Sequence, residues 1–410
     1  IHDDGHLNIE SNDALLEFSN FDPRKDIKKG KFTVVLTNPP FGSKEIRDYV
    51  LNNYEFGSKE KSRKAQRVEV LFIERCFELL AEGGKIGIVL PDPVLSNPSL
   101  DYVHDYILKN SKILAVVSLP QFAFRPVGSG MKTSLLFIEK TKEKSEDYDI
   151  FMGGVEHIGY DSTNRPDKND LPELVKEYKQ FKKEKSRYKS IEKSEIWTKI
   201  VSLKEIVKAK RLDPKYYNPL YKKIISKLKK CGYPLVKIGD IVKQPITSGA
   251  TPRAKGEAYT NESDGIPFIR IVNLKDGKII LDDVLYIKES IHNGMLKRTQ
   301  LKPRDVLVSI AGTIGNTALV PDDFNGGNTN QAIALLRLNE RIRVGEKEME
   351  LLPEYVTLFL SSKFGKTQME KVSRPGAQAN INTTELEEIK IPLPDTNVQK
   401  KLITTFSKEL

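Results

Sequence analysis

The sequence predicts two folded regions of different class: an α/β region built on a parallel sheet, then a mixed α+β, β-rich region. Three observations predict them. Over residues 1–142, β-branched runs alternate with stretches of helical spacing. Over 143–204 that rhythm is interrupted by a lysine-rich stretch. From 205 to 400, short strand-like runs recur between Gly, Asn, Asp and Pro turns, which is the texture of a β-rich domain rather than of βαβ units.

The first element is Phe32–Leu36 (FTVVL), a continuous β-branched run of the kind expected of a strand buried on both faces. It ends in Asn38-Pro39-Pro40-Phe41-Gly42. Residues 64–81 place Val68, Leu71, Phe72, Cys76 and Leu79 at roughly helical spacing, and Gly83-Gly84 are expected to stop that helix. Lys85–Leu90 (KIGIVL) is the next strand, closed by Pro91. Tyr102–Leu108 reads as a helix, and Ile113–Leu119 and Thr133–Ile138 read as strands. A helix between the first two strands implies a right-handed parallel crossover. The link from Leu119 to Thr133 carries Pro and Gly without helical spacing, so it predicts an antiparallel closing hairpin.

Within 176–193 eight Lys and Arg stand against three Glu. Such a run is ordinarily a solvated face, so 143–204 is read as a basic linker or helical connector, with phosphate tracking as the second reading. Strands are expected at Pro267–Val272, Lys278–Leu281, Asp305–Ile310, Thr317–Val320 and Ala332–Leu338, and a helix at Glu354–Ser362. Residues 401–410 read as the start of a connecting helix. Trp197 is expected to be a packing anchor between domains.

Composition excludes several classes. The 410 residues are 39% hydrophobic and 30% charged, enough apolar material for real cores. No apolar run approaches the ~20 residues of a membrane-spanning helix. Cys76 and Cys231 stand alone, which argues against a disulfide framework or a cysteine zinc site and fits a reducing, cytoplasmic setting. The five histidines (2, 6, 104, 157, 292) show no metal-ligand spacing, so no metal is expected. A net charge of +10 permits a polyanionic partner. The chain opens on Ile1 without a signal-peptide pattern, and it is expected to be a piece of something longer.

The sharpest motif is Asn38-Pro39-Pro40-Phe41 after a β-branched strand, since ligands of open parallel sheets sit outside the carboxyl ends of strands. It suits methylation of an exocyclic amine. That amine is a poor nucleophile because its lone pair is delocalised into the ring. The Asn38 side-chain oxygen and a backbone carbonyl of the Pro-Pro turn can each accept one N–H bond. Together they draw the nitrogen toward a tetrahedral form whose lone pair points at a methyl donor. The prolines fix φ, so the carbonyl is aimed in advance, and preorganised acceptors need no reorganisation during reaction. Phe41 can stack on a flipped-out base.

TNPPFG followed by VEVLFIERCFELLAEGGKIGIVLPDPVLSN resembles the modification subunit of type I restriction-modification systems, an adenine-N6-specific DNA methyltransferase with a Rossmann-like fold. The resemblance implies that Asn38, Pro39, Pro40 and Phe41 bind the target adenine. It implies that Asp13, in IESNDALL, lies near the adenine of S-adenosyl-L-methionine. The family's glycine-rich cofactor loop is absent from the expected position: GSG at 128–130 is out of order and Gly83-Gly84 follow a helix. Residues 1–142 therefore resemble the C-terminal half of such a domain, and weak cofactor binding by this chain is expected.

RLDPKYYNP, ITSGATPR, IPFIRIVNL, LKPRDVLVSIAGTIGNTALVP, NTNQAIALLRL and QANINTTELEEIKIPLP resemble the target recognition domain of type I specificity subunits and of fused type II enzymes. Here Gly312 and Gly315 flank a turn where backbone can approach a phosphate. Ser309, Thr313, Asn316, Asn330 and Gln331 offer donors and acceptors, and Arg253, Lys255 and Arg270 offer charge for phosphates. The implied partners are double-stranded DNA, a restriction or translocase subunit, and a second modification-specificity copy, because one recognition domain reads a half-site. Two alternatives stand beside this reading. One is a DNA-binding specificity module on a catalytically inert methyltransferase scaffold. The other is methylation of a protein glutamine.

Overall fold

A computed structural model describes residues 9–57, 63–143, 146–193, 195–252, 258–374 and 379–406. The chain divides into two compact units at Pro219 and Leu220.

The first unit is a six-stranded sheet of β1 (Phe32–Thr37), β2 (Leu80–Pro91), β3 (Ser111–Ser118), β4 (Thr133–Lys140), β5 (Asp149–Val155) and β8 (Ile196–Ser202), in the order β1-β2-β4-β3-β5-β8. β1 runs parallel to β2, with Val35 opposite Ile86 and Thr37 opposite Ile88. β4 inserts antiparallel between β2 and β3, as its short link to β3 predicts. β3 and β5 are parallel, and β8 closes the sheet antiparallel to β5. β1, β2, β3 and β5 therefore end at one common edge, followed by Asn38, Asp92, Leu119 and Glu156.

α1 (Val68–Leu79) crosses from β1 to β2 and buries Val70, Leu71, Ile73, Cys76 and Phe77. Each such side chain contributes about 1.5–3 kcal/mol on leaving water. α1 stops at Leu79, before the glycines: Leu80 already has strand geometry, and Gly83, at φ 74°, makes a turn inside the β2 segment. α2 (Asp92–Ser96) and α3 (Asp101–Asn110) follow β2.

β1 departs from expectation. Val34 is 56% exposed and Leu36 75% exposed. A continuous apolar run marks two-sided burial only in an inner strand, and β1 is an edge strand of this sheet. Its open face borders an apolar groove of about 350 Å³ shared with Ile86, Phe137, Phe151 and Leu174.

The expected linker at 143–204 is instead integral to the sheet. It contains β5, a hairpin of β6 (Ile158–Tyr160) and β7 (Pro166–Asn169), helix α4 (Leu171–Glu184) and β8. The charge excess hid them. Lys176, Lys179 and Lys183 occupy the outer face of α4 and Lys182 borders the groove beside β1, while Leu174 and Phe181 dock on the sheet beside Phe151. Trp197 lies in the core of this unit, not between domains. A Cβ at Gly154 would stand 2.4 Å from its indole nitrogen. We expect Gly154→Ala to destabilise this unit by about 1–3 kcal/mol. The urea midpoint followed by Trp197, the sole tryptophan, checks this.

The first unit also runs past residue 205. α5 (Leu203–Ala209) and α6 (Pro214–Tyr217) belong to it, and the Leu212 amide donates to the Leu95 carbonyl at 2.8 Å. Arg211 and Asp213 form a buried two-pronged ion pair at 2.5 and 2.9 Å. The RLDPKYY segment thus completes the first core with Ile206, Leu212 and Tyr217.

The second unit begins with α7 (Pro219–Lys229), a helix whose lysine-rich sequence masked its spacing. It holds a six-stranded and a four-stranded sheet. The strands overlap the predicted stretches, at Ile266–Ile269, Gly277–Ile279, Val306–Ser309, Thr317–Leu319 and Ile333–Leu336, the first two starting one residue early. Helices Pro353–Ser361, Lys363–Val372 and Thr396–Phe406 pack with them; the last begins before 401, and 407–410 lie outside the described residues. Among the described residues no helix is long and apolar enough to cross a membrane.

Candidate functional site

Where β1 stops, the chain turns through Asn38, Pro39, Pro40 and Phe41 at the carboxyl edge of the sheet. Asn38 and Pro40 are exposed, Pro39 is buried and Phe41 is half-buried. Buried Pro39 roots the corner, and the amide of Asn38 is left facing solvent. Gly42, at φ 82°, makes the sharp exit that an L side chain resists. Phe41 meets Phe124 edge to face, with centroids 5.7 Å apart and planes at 86°.

The exit strand is tied down. Lys44–Glu45 pairs antiparallel with Gln66–Arg67, and the Val68 amide at the start of α1 donates to the Ser43 carbonyl at 3.2 Å. Glu69, in the first turn of α1, is fully buried, and neither carboxylate oxygen has a hydrogen-bond partner. Burial raises its pKa, opposed by the Arg67 guanidinium at 3.8 Å. Sequence reasoning missed Glu69. Its only signal was an acid at a helix start, the commonest place for one.

Asp13 connects to the same region. Its Oδ2 accepts from Arg47 at 2.6 Å, and its Oδ1 accepts the Leu15 amide at 3.0 Å. The Arg47 guanidinium also grips buried Glu45 at 2.9 and 2.5 Å and, with the Arg47 and Ile46 amides, holds the Glu45 carboxyl down to about 2. Tyr54 fixes this segment by donating to the Leu15 carbonyl at 2.9 Å. Asp13 thus holds a local turn and an ion pair to Arg47, and a carboxylate with 35% side-chain exposure is held near the corner's exit strand.

Across the edge, the loop Leu119–Lys132 carries Phe124. GSG at 128–130 is a turn of this loop, with Gly128 at φ 88°. Beneath it, the Asp92 amide donates to the Lys132 carbonyl at 2.9 Å, and Asp92 Oδ1 accepts from Ser134 at 2.6 Å. Burial pushes Asp92 up to about 6. Phe124 was also missed, because its pairing with Phe41 is made only when β1 and β3 share an edge.

In the second unit, the expected DNA-contacting residues that are described gather at one rim. Ser309 opposes Ile333, and Thr317 opposes Val308, so the 310–316 turn and Asn330-Gln331 lie at the same sheet end. Ile269 lies beside Thr329 in parallel, which brings Arg270 next to Asn330. Thr251 donates to Gln331 at 2.5 Å, and the Gly312 amide donates to Ala379 at 2.9 Å. Thr313 and Gln331 are exposed; Asn316, Asn330 and Arg270 are half-buried. Ser309 departs from expectation. It is fully buried, and its hydroxyl donates to the Thr313 carbonyl at 2.5 Å and accepts the Asn316 amide at 2.8 Å. It builds the turn from inside and offers nothing to a ligand. Gly312 and Gly315, at φ 70° and 87°, are the turn's required glycines. Arg270 donates to the Asp283 carbonyl at 2.6 Å. Arg253 and Lys255 lie outside the described residues.

Residues 2–219, essentially the whole first unit, match the family of N-6 DNA methylases. The chain belongs to the N-6 DNA methylase family. Residues 232–408 match the type I restriction modification DNA specificity domain, so a methylase domain and a specificity domain are fused in one polypeptide. The chain is 28% identical over 140 residues to the type I restriction enzyme EcoBI specificity subunit of Escherichia coli, covering 34% of this chain and 27% of that protein. It is 31% identical over 114 residues to the type I restriction enzyme EcoEI methylase subunit of Escherichia coli, covering 28% and 22%. The chain thus spans about a quarter of the length of the curated relatives it matches. A solved structure of the type IIG restriction endonuclease BpuSI aligns with 92% of this chain and 49% of its own, at 12% identity and a TM-score of 0.42.

Methylases of this family imply a methyl donor. Asp13 presents a partly exposed carboxylate beside the corner's exit strand, with Oδ2 held by Arg47 at 2.6 Å and Oδ1 by the Leu15 amide at 3.0 Å. Gly42 makes the exit turn of the corner itself, Gly128 belongs to the Phe124 loop, and Gly83 lies at the amino end of β2. Among the described residues no cluster of acids, histidines or cysteines is arranged to hold a metal ion.

Proposed function

We propose that this protein methylates the N6 amine of adenine in a specific DNA sequence, as part of a restriction-modification system. The observation that carries the reading is the open Asn38–Phe41 corner at the carboxyl edge of a parallel strand, in a chain that belongs to the N-6 DNA methylases. The Asn38 side-chain oxygen and the Pro39 carbonyl accept the two N–H bonds of the amine and bias its lone pair outward. Phe41 stacks on the flipped base, with Phe124 buttressing it edge to face. No strong base is needed, because the amine becomes acidic only as the new bond forms. S-adenosyl-L-methionine supplies the electrophilic methyl group, with Asp13 against its adenine.

The second unit selects the sequence. Thr313, Asn316, Asn330, Gln331 and Arg270 contact DNA at the rim, and Arg253 and Lys255 add phosphate charge. Double-stranded DNA is the substrate. A restriction or translocase subunit and a second modification-specificity copy are the protein partners. The alternative, an inert methylase scaffold conferring DNA specificity on a partner, is favoured by one observation: the Asp13 carboxylate is already bound by Arg47.

The full gene product, DNA and labelled S-adenosyl-L-methionine decide between these readings. We expect label in N6-methyladenine after nuclease digestion. DNA that is bound but unlabelled supports the inert scaffold. Label on protein glutamine or on cytosine overturns both readings.

A further inference from the structure

After β5 leaves the carboxyl edge, the chain does not enter α4 directly. It first makes the β6–β7 hairpin. This hairpin is rigid by its own bonds. Asp161 Oδ1 accepts the Thr163 and Arg165 amides at 2.8 and 3.0 Å, and Asn164 turns at φ 65°. At the base, the Asp170 amide donates to the His157 carbonyl at 3.0 Å, the His157 amide donates to Asp170 Oδ2 at 3.1 Å, and Lys168 pairs with Asp170 at 3.1 Å.

From β6, the Tyr160 hydroxyl donates to the Ala123 carbonyl at 2.7 Å. Among the described residues it is the one side-chain hydrogen bond that the Leu119–Lys132 loop receives from outside itself. The loop's other side-chain bonds are internal: Gln121 to Gly130 at 2.7 Å, Met131 to Ser129 at 3.4 Å, and Lys132 to Leu119. The residue after Ala123 is Phe124, whose ring stands at right angles to Phe41. A rigid hairpin thus reaches the aromatic corner through one hydroxyl, one carbonyl and one peptide unit.

We propose that Tyr160 is a positioning residue for the target base. By holding the Ala123 carbonyl it fixes where Phe124 stands, and so fixes the tilt of the Phe41 ring that Phe124 meets edge to face. This rests on the adenine-methylation reading above. The set of the stacking ring is then fixed from a hairpin more than a hundred residues beyond the corner itself. Without the bond the loop is free to slide, and the ring under a flipped base loses its buttress while the DNA-reading unit is untouched.

The test uses the full gene product and a duplex of its modified sequence with 2-aminopurine at the target adenine. This base brightens when it leaves the stack. We expect Tyr160→Phe to keep the wild-type melting temperature and DNA affinity, and to lower the 2-aminopurine signal and kcat/KM by about five-fold, the scale of one lost neutral hydrogen bond. Phe124→Leu should produce the same pattern. The double variant Tyr160→Phe/Phe124→Leu should be no worse than Phe124→Leu alone, because both changes remove the same buttress of Phe41. Unchanged fluorescence and turnover in Tyr160→Phe overturn the proposal, as does a fully additive double variant. A wild-type protein that neither brightens 2-aminopurine nor methylates adenine overturns the underlying reading instead.

Discussion

Asn38→Ala in the full gene product is expected to abolish methyl transfer while DNA binding survives. The amide oxygen is one of two fixed acceptors for the target amine, and alanine removes it without touching the specificity domain. Loss of one preorganised hydrogen-bonding group at a reacting centre costs about 10²–10³ in kcat. The side chain is exposed and holds up nothing, so the melting temperature should not move. Asn38→Asp is the sharper companion. It keeps an acceptor but adds a charge, so it should retain part of the activity with a shifted pH profile. The measurement is single-turnover methylation beside equilibrium DNA binding. Undiminished turnover in Asn38→Ala would remove the corner from the chemistry.

Exchange of the second unit is the other large effect. Replacing the chain from Leu220 onward with the corresponding unit of another specificity domain should change the modified sequence completely and leave the turnover rate within a few-fold. Sequencing of methylated sites reads this directly. An unchanged target sequence would mean that the rim around the 310–316 turn does not choose the site. The position of the junction matters. A junction at 205 would replace Ile206, Leu212 and Tyr217 of the first core together with the buried Arg211–Asp213 pair. A junction at 220 spares all of these. The two hybrids should therefore differ in urea stability of the first unit, with the 220 hybrid the more stable.

Much of the methylase corner was legible in the residues. An Asn-Pro-Pro-Phe turn after a β-branched run carries its own geometry: prolines set φ, and strand ends in parallel sheets face the ligand. The insertion of β4 between β2 and β3 was half legible, because a link too short for a crossover forces an antiparallel partner. Two features read wrongly for one shared reason, that composition averages over faces. The lysines of α4 concealed Leu174 and Phe181 on its other side. The apolar run of β1 did not reveal that the strand stands at a sheet edge. Ser309 was misread for a related reason: a hydroxyl in a polar turn looks alike in sequence whether it faces solvent or closes the turn.

The sequence by itself determined the local chemistry: the proline-braced corner, the glycines of the 310–316 turn, and the fusion of a methylase domain to a specificity domain. These depend on neighbours a few residues apart, where backbone sterics act. Only the tertiary structure decided that Phe124 faces Phe41, that Arg47 ties Asp13 to Glu45, that Tyr160 braces the Ala123 carbonyl, and that RLDPKYY closes the first core. Those pairings join residues distant along the chain, and they exist because sheet order, a sum of many weak packing terms, brings particular strand ends to the same edge.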